Sequence, residues 1–324
     1  MKLAPVMAAL LALWPQLGAA AGYHPPRTAA GQPDLQGTWT NASLTRVERS
    51  DAFETVIISE AKARAFESGQ HGKPPIADDV GQADTEWWEM AGTLARIDGQ
   101  PRTAWIVDPP DGRLPYTAEG QRTKGPPRAS FDGPEARPAM ERCLTAIGTP
   151  AGPPMLNAAY NSNYQIVQTR DAVAIVVEMN HDARIIRLGG RHPPASVRSW
   201  MGDSIGHWDG DTLVVETTNF RPEESQRGNP AIGWLFISPD AKVTERFTRT
   251  AADVIRYAFT VEDPKIYAKP WRAEMVFGPA KGPMFEFACH EGNYSMRGVL
   301  GGARQAEAAA RDAAAKAAPP RTGP

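Results

Sequence analysis

The feature that most constrains this chain is a series of short alternating segments between Tyr160 and Tyr294: Tyr164–Thr169, Val173–Met179, Arg184–Leu188, Thr212–Thr218, Val243–Arg249, Val254–Val261, Trp271–Phe277 and Met284–Cys289. Turn residues divide them: Arg170-Asp171, Asn180-His181-Asp182-Ala183, Asp209-Gly210-Asp211 after Trp208, and Ala251-Ala252-Asp253. Period-two apolar runs bounded by such residues are strands joined as hairpins. No helical crossover of the kind parallel pairing needs separates them, so the pattern predicts an antiparallel meander. Left open, eight to ten strands would present unpaired edges. Closure into a barrel or strongly curved sheet removes them.

Residues 24–159 read differently. Gly37-Thr-Trp-Thr40 and Trp105-Ile-Val-Asp108 are strand-like. Ser59 caps a helix over Glu60–Ser68 that Gly69 ends. Thr85–Ala91 suggests a helical turn, and Glu135–Ile147 a helix interrupted near Pro138. No self-sufficient periodic core appears here, so this part is expected to wrap the sheet within one domain spanning 22–302. Residues 303–324 carry an Ala-rich helix and then Pro-Pro-Arg-Thr-Gly-Pro, a solvated tail.

The first 21 residues have the form of a secretory leader: Lys2, the apolar run Val6–Trp14, and Ala19-Ala20-Ala21 for cleavage. That run is too short to span a bilayer, and no other stretch is long enough, so no membrane insertion of the mature chain is expected. A periplasmic or secreted location follows. With Lys+Arg 35 against Asp+Glu 37 the formal charge is −2, which withholds the electrostatic footprint of nucleic-acid binding. In an oxidising compartment the two cysteines, Cys143 and Cys289, favour a disulfide closing a loop of about 146 residues. The chain-entropy account gives such a loop about 4–5 kcal/mol of stabilisation. Two separate buried thiols are the alternative.

Six segments, Pro33-Asp-Leu-Gln-Gly-Thr-Trp39, Val107-Asp-Pro-Pro-Asp-Gly-Arg113, Tyr160-Asn-Ser-Asn-Tyr-Gln-Ile-Val167, His181-Asp-Ala-Arg-Ile-Ile186, Gly210–Phe220 and Ala288-Cys-His-Glu-Gly-Asn-Tyr294, resemble a large group of exported bacterial proteins of uncharacterised function. The resemblance implies one domain-scale unit and carries no activity with it. Gly37-Thr-Trp39 is also similar to the opening strand of lipocalin-like barrels, so the expected fold is mainly β, a lipocalin-like barrel with short peripheral helices in the N-terminal half.

The chain lacks His-x-His, His-Glu-x-x-His and Cys-x-x-Cys spacing, a P-loop and a dinucleotide fingerprint. No metal and no cofactor is therefore expected. The densest polar cluster is His290-Glu291 with Asn293 and Tyr294. If the last strand keeps period two, Glu286 shares a face with His290, an arrangement suited to an oriented general acid/base; the alternative is a strand-end histidine bonded to a carbonyl. His181-Asp182 lies in a turn, with Arg184 beyond it placed to hold an anionic group. The alternative is a turn-bonding Asp182 and an exposed His181. Glu178, Glu216 and Glu286 either face solvent or line a pocket. The expected catalytic set is thus His290, His181, Glu286 and Asp182, with Arg184, Tyr294, Asn163, Asn293 and Trp208 contacting substrate. Two functions stand foremost, ahead of a structural envelope protein, which would give no reason for these polar clusters. One is a cofactor-independent lyase, hydratase, isomerase or hydrolase acting on a small organic molecule in the barrel. The other is a non-catalytic binder of an apolar or aromatic ligand.

Overall fold

The computed structural model describes residues 23–70, 92–124, 130–146, 150–158, 160–229 and 232–317. The leader and the expected turn at 85–91 lie outside the described residues. The strands are β1 (Gly37–Thr40), β2 (Arg96–Ile97), β3 (Gln100–Pro101), β4 (Ile106–Asp108), β5 (Asn163–Gln168), β6 (Ala172–Val177), β7 (Ala183–Leu188), β8 (Asp203–Asp209), β9 (Thr212–Thr218), β10 (Gln226–Asn229), β11 (Gly233–Phe236), β12 (Lys242–Ala251), β13 (Val254–Glu262) and β14 (Trp271–Pro279). The α-helices are α1 (Glu60–Ser68), α2 (Ala118–Thr123) and α3 (Ser295–Ala317).

Nine of the strands close a barrel in the order β1-β5-β6-β7-β8-β9-β12-β13-β14, with β1 also hydrogen-bonded to β14. A closed wall of nine cannot alternate up and down all the way round, because alternation needs an even number. At least one neighbouring pair must run parallel, and here it is β7 with β8, Ile186 opposite Ser204 and Leu188 opposite Gly206. The purely antiparallel meander is corrected at this point. Gly189 and Gly190, with φ of +86° and +90°, turn the chain out of β7. Residues 191–202 then return along the outer wall without a helix, where His192 Nδ1 lies 2.6 Å from Asp203 Oδ2. A glycine is favoured at such positive φ because it has no Cβ to clash.

Period two sorts each strand into an inner and an outer face. On β12, Val243, Glu245 and Phe247 point in and are fully buried, whereas Lys242 and Arg246 point out and pair with Glu262 and Asp209 at 2.8 Å each. The inner faces supply an aromatic stack. Phe247 and Tyr257 have centroids 4.8 Å apart, Tyr257 and Phe259 5.4 Å, Tyr257 and Phe277 5.6 Å, and Tyr164 and Phe277 5.2 Å. Side chains lining a chamber wide enough for water would keep accessible surface. These keep essentially none, so at this level the barrel encloses a close-packed core.

Residues 150–158 plug the pole where β5 begins: Met155 N–H donates to Tyr257 Oη at 2.9 Å, and Tyr164 O–H donates to Leu156 O at 3.2 Å. β4 adds to β14 beside β1. Helix α1 forms as expected, with Ser59 Oγ accepting from Lys62 N–H and Gly69 closing the last turn. It shelters a satellite cluster of Phe53, Ile58, Ala63 and Leu94.

Two expected elements are corrected. In place of a helix over Glu135–Ile147 there are single 3-10 turns at Pro134–Ala136 and Ala139–Arg142, since Pro138 interrupts any α-helical ladder. Met284–Cys289 forms no strand. Both sides of β14 are already taken, by β13 on one and by β1 and β4 on the other, so the alternating run has no sheet to join. The tail helix begins earlier than expected, at Ser295, and buries none of its residues.

Candidate functional site

The first pole of the barrel gathers most of the residues singled out in the sequence. Four segments meet there: the β6–β7 connection, the approach to β5, residues 143–146, and the arm that runs from Ala280 to Tyr294. They are tied to one another by specific bonds. Asn163 Nδ2 donates to Glu178 Oε2 at 2.8 Å, and the Phe285 amide donates to Glu178 Oε1 at 2.7 Å. The Ala146 amide donates to Asp182 Oδ2 at 2.8 Å, and Asn180 Nδ2 to Asp182 Oδ1 at 3.0 Å. Cys143 and Cys289 form the expected disulfide, with Cα atoms 5.8 Å apart. Asn293 Nδ2 lies 3.5 Å from Cys143 Sγ and donates to Cys289 O at 3.0 Å.

The backbone here is unusual. Asn161, Asn180, His181 and Cys143 have φ of +50°, +59°, +43° and +54°. Left-handed conformations cost a residue with a Cβ, and such residues cluster at functional sites. Asn180 and His181 are consecutive, so the tight β6–β7 connection places a histidine where glycine would be relaxed. His181 is exposed and Asp182 half-buried. Burial raises the Asp182 carboxyl above its ordinary range, partly offset by the Ala146 and Asn180 amides and by the neighbouring His181.

The structure does not assemble the other candidates as the sequence suggested. Arg184 faces inward, 2% exposed, and makes a two-point ion pair with Glu245, which is 0% exposed. Its remaining donors go to Ser204 Oγ at 3.1 Å and Thr217 Oγ1 at 3.0 Å, while Tyr257 O–H donates to Glu245 Oε1 at 2.7 Å. The expected anion holder is thus occupied by a carboxylate of its own chain. Glu286 and His290 are exposed and share no strand face, because their segment is not a strand. Trp208 packs on the core near the opposite pole, beside the β8–β9 turn, remote in register from Asn163. Glu178 is buried and Glu216 sits on the outer wall near His192 Nε2 at 3.5 Å.

The arm holds aromatic side chains in two states. Phe287 stacks on Tyr160 with centroids 6.4 Å apart, and burial raises the Tyr160 hydroxyl pKa. Phe285 and Tyr294 stand out from the surface at 66% and 74% exposure. Glu245 and Tyr257 were absent from the expected site, and Glu178 entered it only as a carboxylate that could face solvent or line a pocket. Glu245 could have been found from its place between Val243 and Phe247, which gives it their inward parity.

Among the described residues no group of three or more His, Cys, Asp or Glu side chains is placed to hold a metal ion. No described helix is long and apolar enough to cross a membrane. Compared with known proteins, the chain matches no family model and no curated protein.

Proposed function

We propose that the protein is an exported binding module whose recognition surface is the disulfide-tied pole, and that its ligand presents an apolar or aromatic group. The observation that carries this reading is the pairing of two exposed aromatic side chains, Phe285 and Tyr294, with an arm fastened at the Phe285 amide itself and again at Cys289. A large ring held out in water from a fixed backbone offers contact area at little ordering cost, as binding surfaces do. The leader-like start and the disulfide support export. Several of the polar groups there are already engaged within the chain: Glu178 by the arm, Asp182 by residues 146 and 180, and Arg184 by Glu245.

The test titrates the oxidised mature protein with 2-naphthol by calorimetry. The double variant Phe285→Ala/Tyr294→Ala should bind at least about tenfold more weakly, a loss of about 1.4 kcal/mol, with little change in stability since both side chains are exposed. Unchanged affinity would overturn the reading. One observation favours an acid–base enzyme instead: exposed His181 in the left-handed region next to a carboxyl of raised pKa. In an untargeted metabolite incubation, turnover by wild type that disappears in His181→Ala or His290→Ala would replace binding by catalysis.

A further inference from the structure

Cys143 and Cys289 both lie outside the barrel wall. The first follows the 3-10 turn Ala139–Arg142, and the second sits in the arm after β14. From Ala280 to Ala317 no side chain is buried. Apart from the disulfide, few contacts among the described residues hold this stretch to the body: the Ala280 amide on Thr38 O, the Phe285 amide on Glu178, the Phe287 ring on Tyr160, Asn293 beside Cys143, and α3 against the Ala139–Arg142 turn with Arg304 reaching Phe131 O. The barrel closes upstream of all of them, through β1 paired with β5 and β14. Both cysteines are half-exposed and flanked by exposed Leu144, Ala288 and His290, so an external thiol can reach them.

We infer that the Cys143–Cys289 disulfide is a latch on the recognition arm, and that thiol–disulfide exchange with a dithiol switches the pole between a fastened and a released state while the barrel stays folded. The inference rests on the binding reading for its consequence, not for its mechanism. A thiolate of the dithiol attacks one sulfur, the S–S bond breaks, and the other cysteine leaves as a thiolate and takes up a proton. The second thiol of the reagent then attacks the mixed disulfide, releasing the remaining cysteine. Two electrons and two protons pass from the dithiol to the protein, and the reagent ends as its own disulfide. Freed, the arm keeps only weak anchors, and segments with few buried contacts open first.

The experiment compares the full mature chain in three forms: oxidised, reduced with dithiothreitol, and Cys143→Ser/Cys289→Ser. Chymotrypsin cleavage after Phe285 and Phe287 reads the arm, amide hydrogen exchange in β12–β14 reads the barrel, and 2-naphthol titration reads the pole. Expected are arm cleavage at least about tenfold faster in both disulfide-free forms, barrel amides still protected as in a folded sheet apart from the uniform loss that opening the 146-residue loop brings, and affinity at least about tenfold weaker. Equal arm cleavage in all three forms overturns the latch, and so do barrel amides that exchange as fast as those of an unfolded chain once the bond is open. An oxidised protein that fails to take up 2-naphthol defeats the binding reading alone, since cleavage and exchange still decide the latch.

Discussion

Arg184 turns its side chain into the barrel from the start of β7, and replacing it with methionine separates a structural role from a ligand-holding one. Methionine retains most of the side chain's length, so the change is chiefly electrostatic. Glu245, with no exposure, would keep one donor, the Tyr257 hydroxyl at 2.7 Å, and lose its counter-charge. Breaking a buried ion pair from one side costs about 3–5 kcal/mol. The double variant Arg184→Met/Glu245→Met removes the stranded charge as well. Ser204 and Thr217 then still satisfy each other at 2.8 Å, and the main residual cost is a Tyr257 hydroxyl without its acceptor, about 1–3 kcal/mol. The double variant should therefore be more stable than Arg184→Met alone by about 2 kcal/mol. Urea unfolding followed by tryptophan fluorescence reads this as a midpoint shift at constant slope. If the two substitutions instead add, leaving the double variant the least stable of the set, the buried pair is not what holds Arg184 inside and the argument fails.

Two further outcomes follow from the first pole. His181→Gly relieves a left-handed backbone at φ +43° and, after the entropy of an added glycine, should raise stability by up to about 1 kcal/mol; a loss of that size in thermal melts would mean that the imidazole makes a stabilising contact. Burial holds Asp182 above its ordinary range, so the folded protein takes up a proton there more readily than the unfolded chain. The stability Asp182 contributes is present at acid pH and is lost as the pH rises through the folded-state value. Urea midpoints between about pH 3 and about pH 7 should show wild type losing ground to Asp182→Asn on the way up; a constant gap, or the opposite trend, refutes the burial argument.

The sequence made the barrel readable wherever an alternating run met a turn signal, as at Val173–Met179 or Thr212–Thr218, and wherever a cap was explicit, as at Ser59. It failed where the deciding fact was not local. The parallel step from β7 to β8 follows from the odd number of strands in the closed wall, which no single segment announces. Gln226–Asn229 carries no apolar residue, so nothing in the sequence announces its hairpin with Gly233–Phe236 outside the wall. Met284–Cys289 alternates like a strand, but its place in the sheet is filled. The site was legible as a neighbourhood and not as a constellation. His181, Asp182, Asn163, Asn293 and the cysteines do share a pole, because the β6–β7 connection and the start of β5 are adjacent in register. Arg184 was misread because the carboxylate that claims it lies on β12, far along the chain.

The seam between β1 and β14 bears on how the chain can come to be folded. Trp39 has its partner at Pro279, some 240 residues further on. Loop closure over such a span is entropically slow, and folding rates fall as contacts become more remote. The first strand must therefore wait for nearly the last part of the barrel to be delivered before the wall can seal. A polypeptide arranged this way stays unfinished, and threadable, for almost the whole time it is being made.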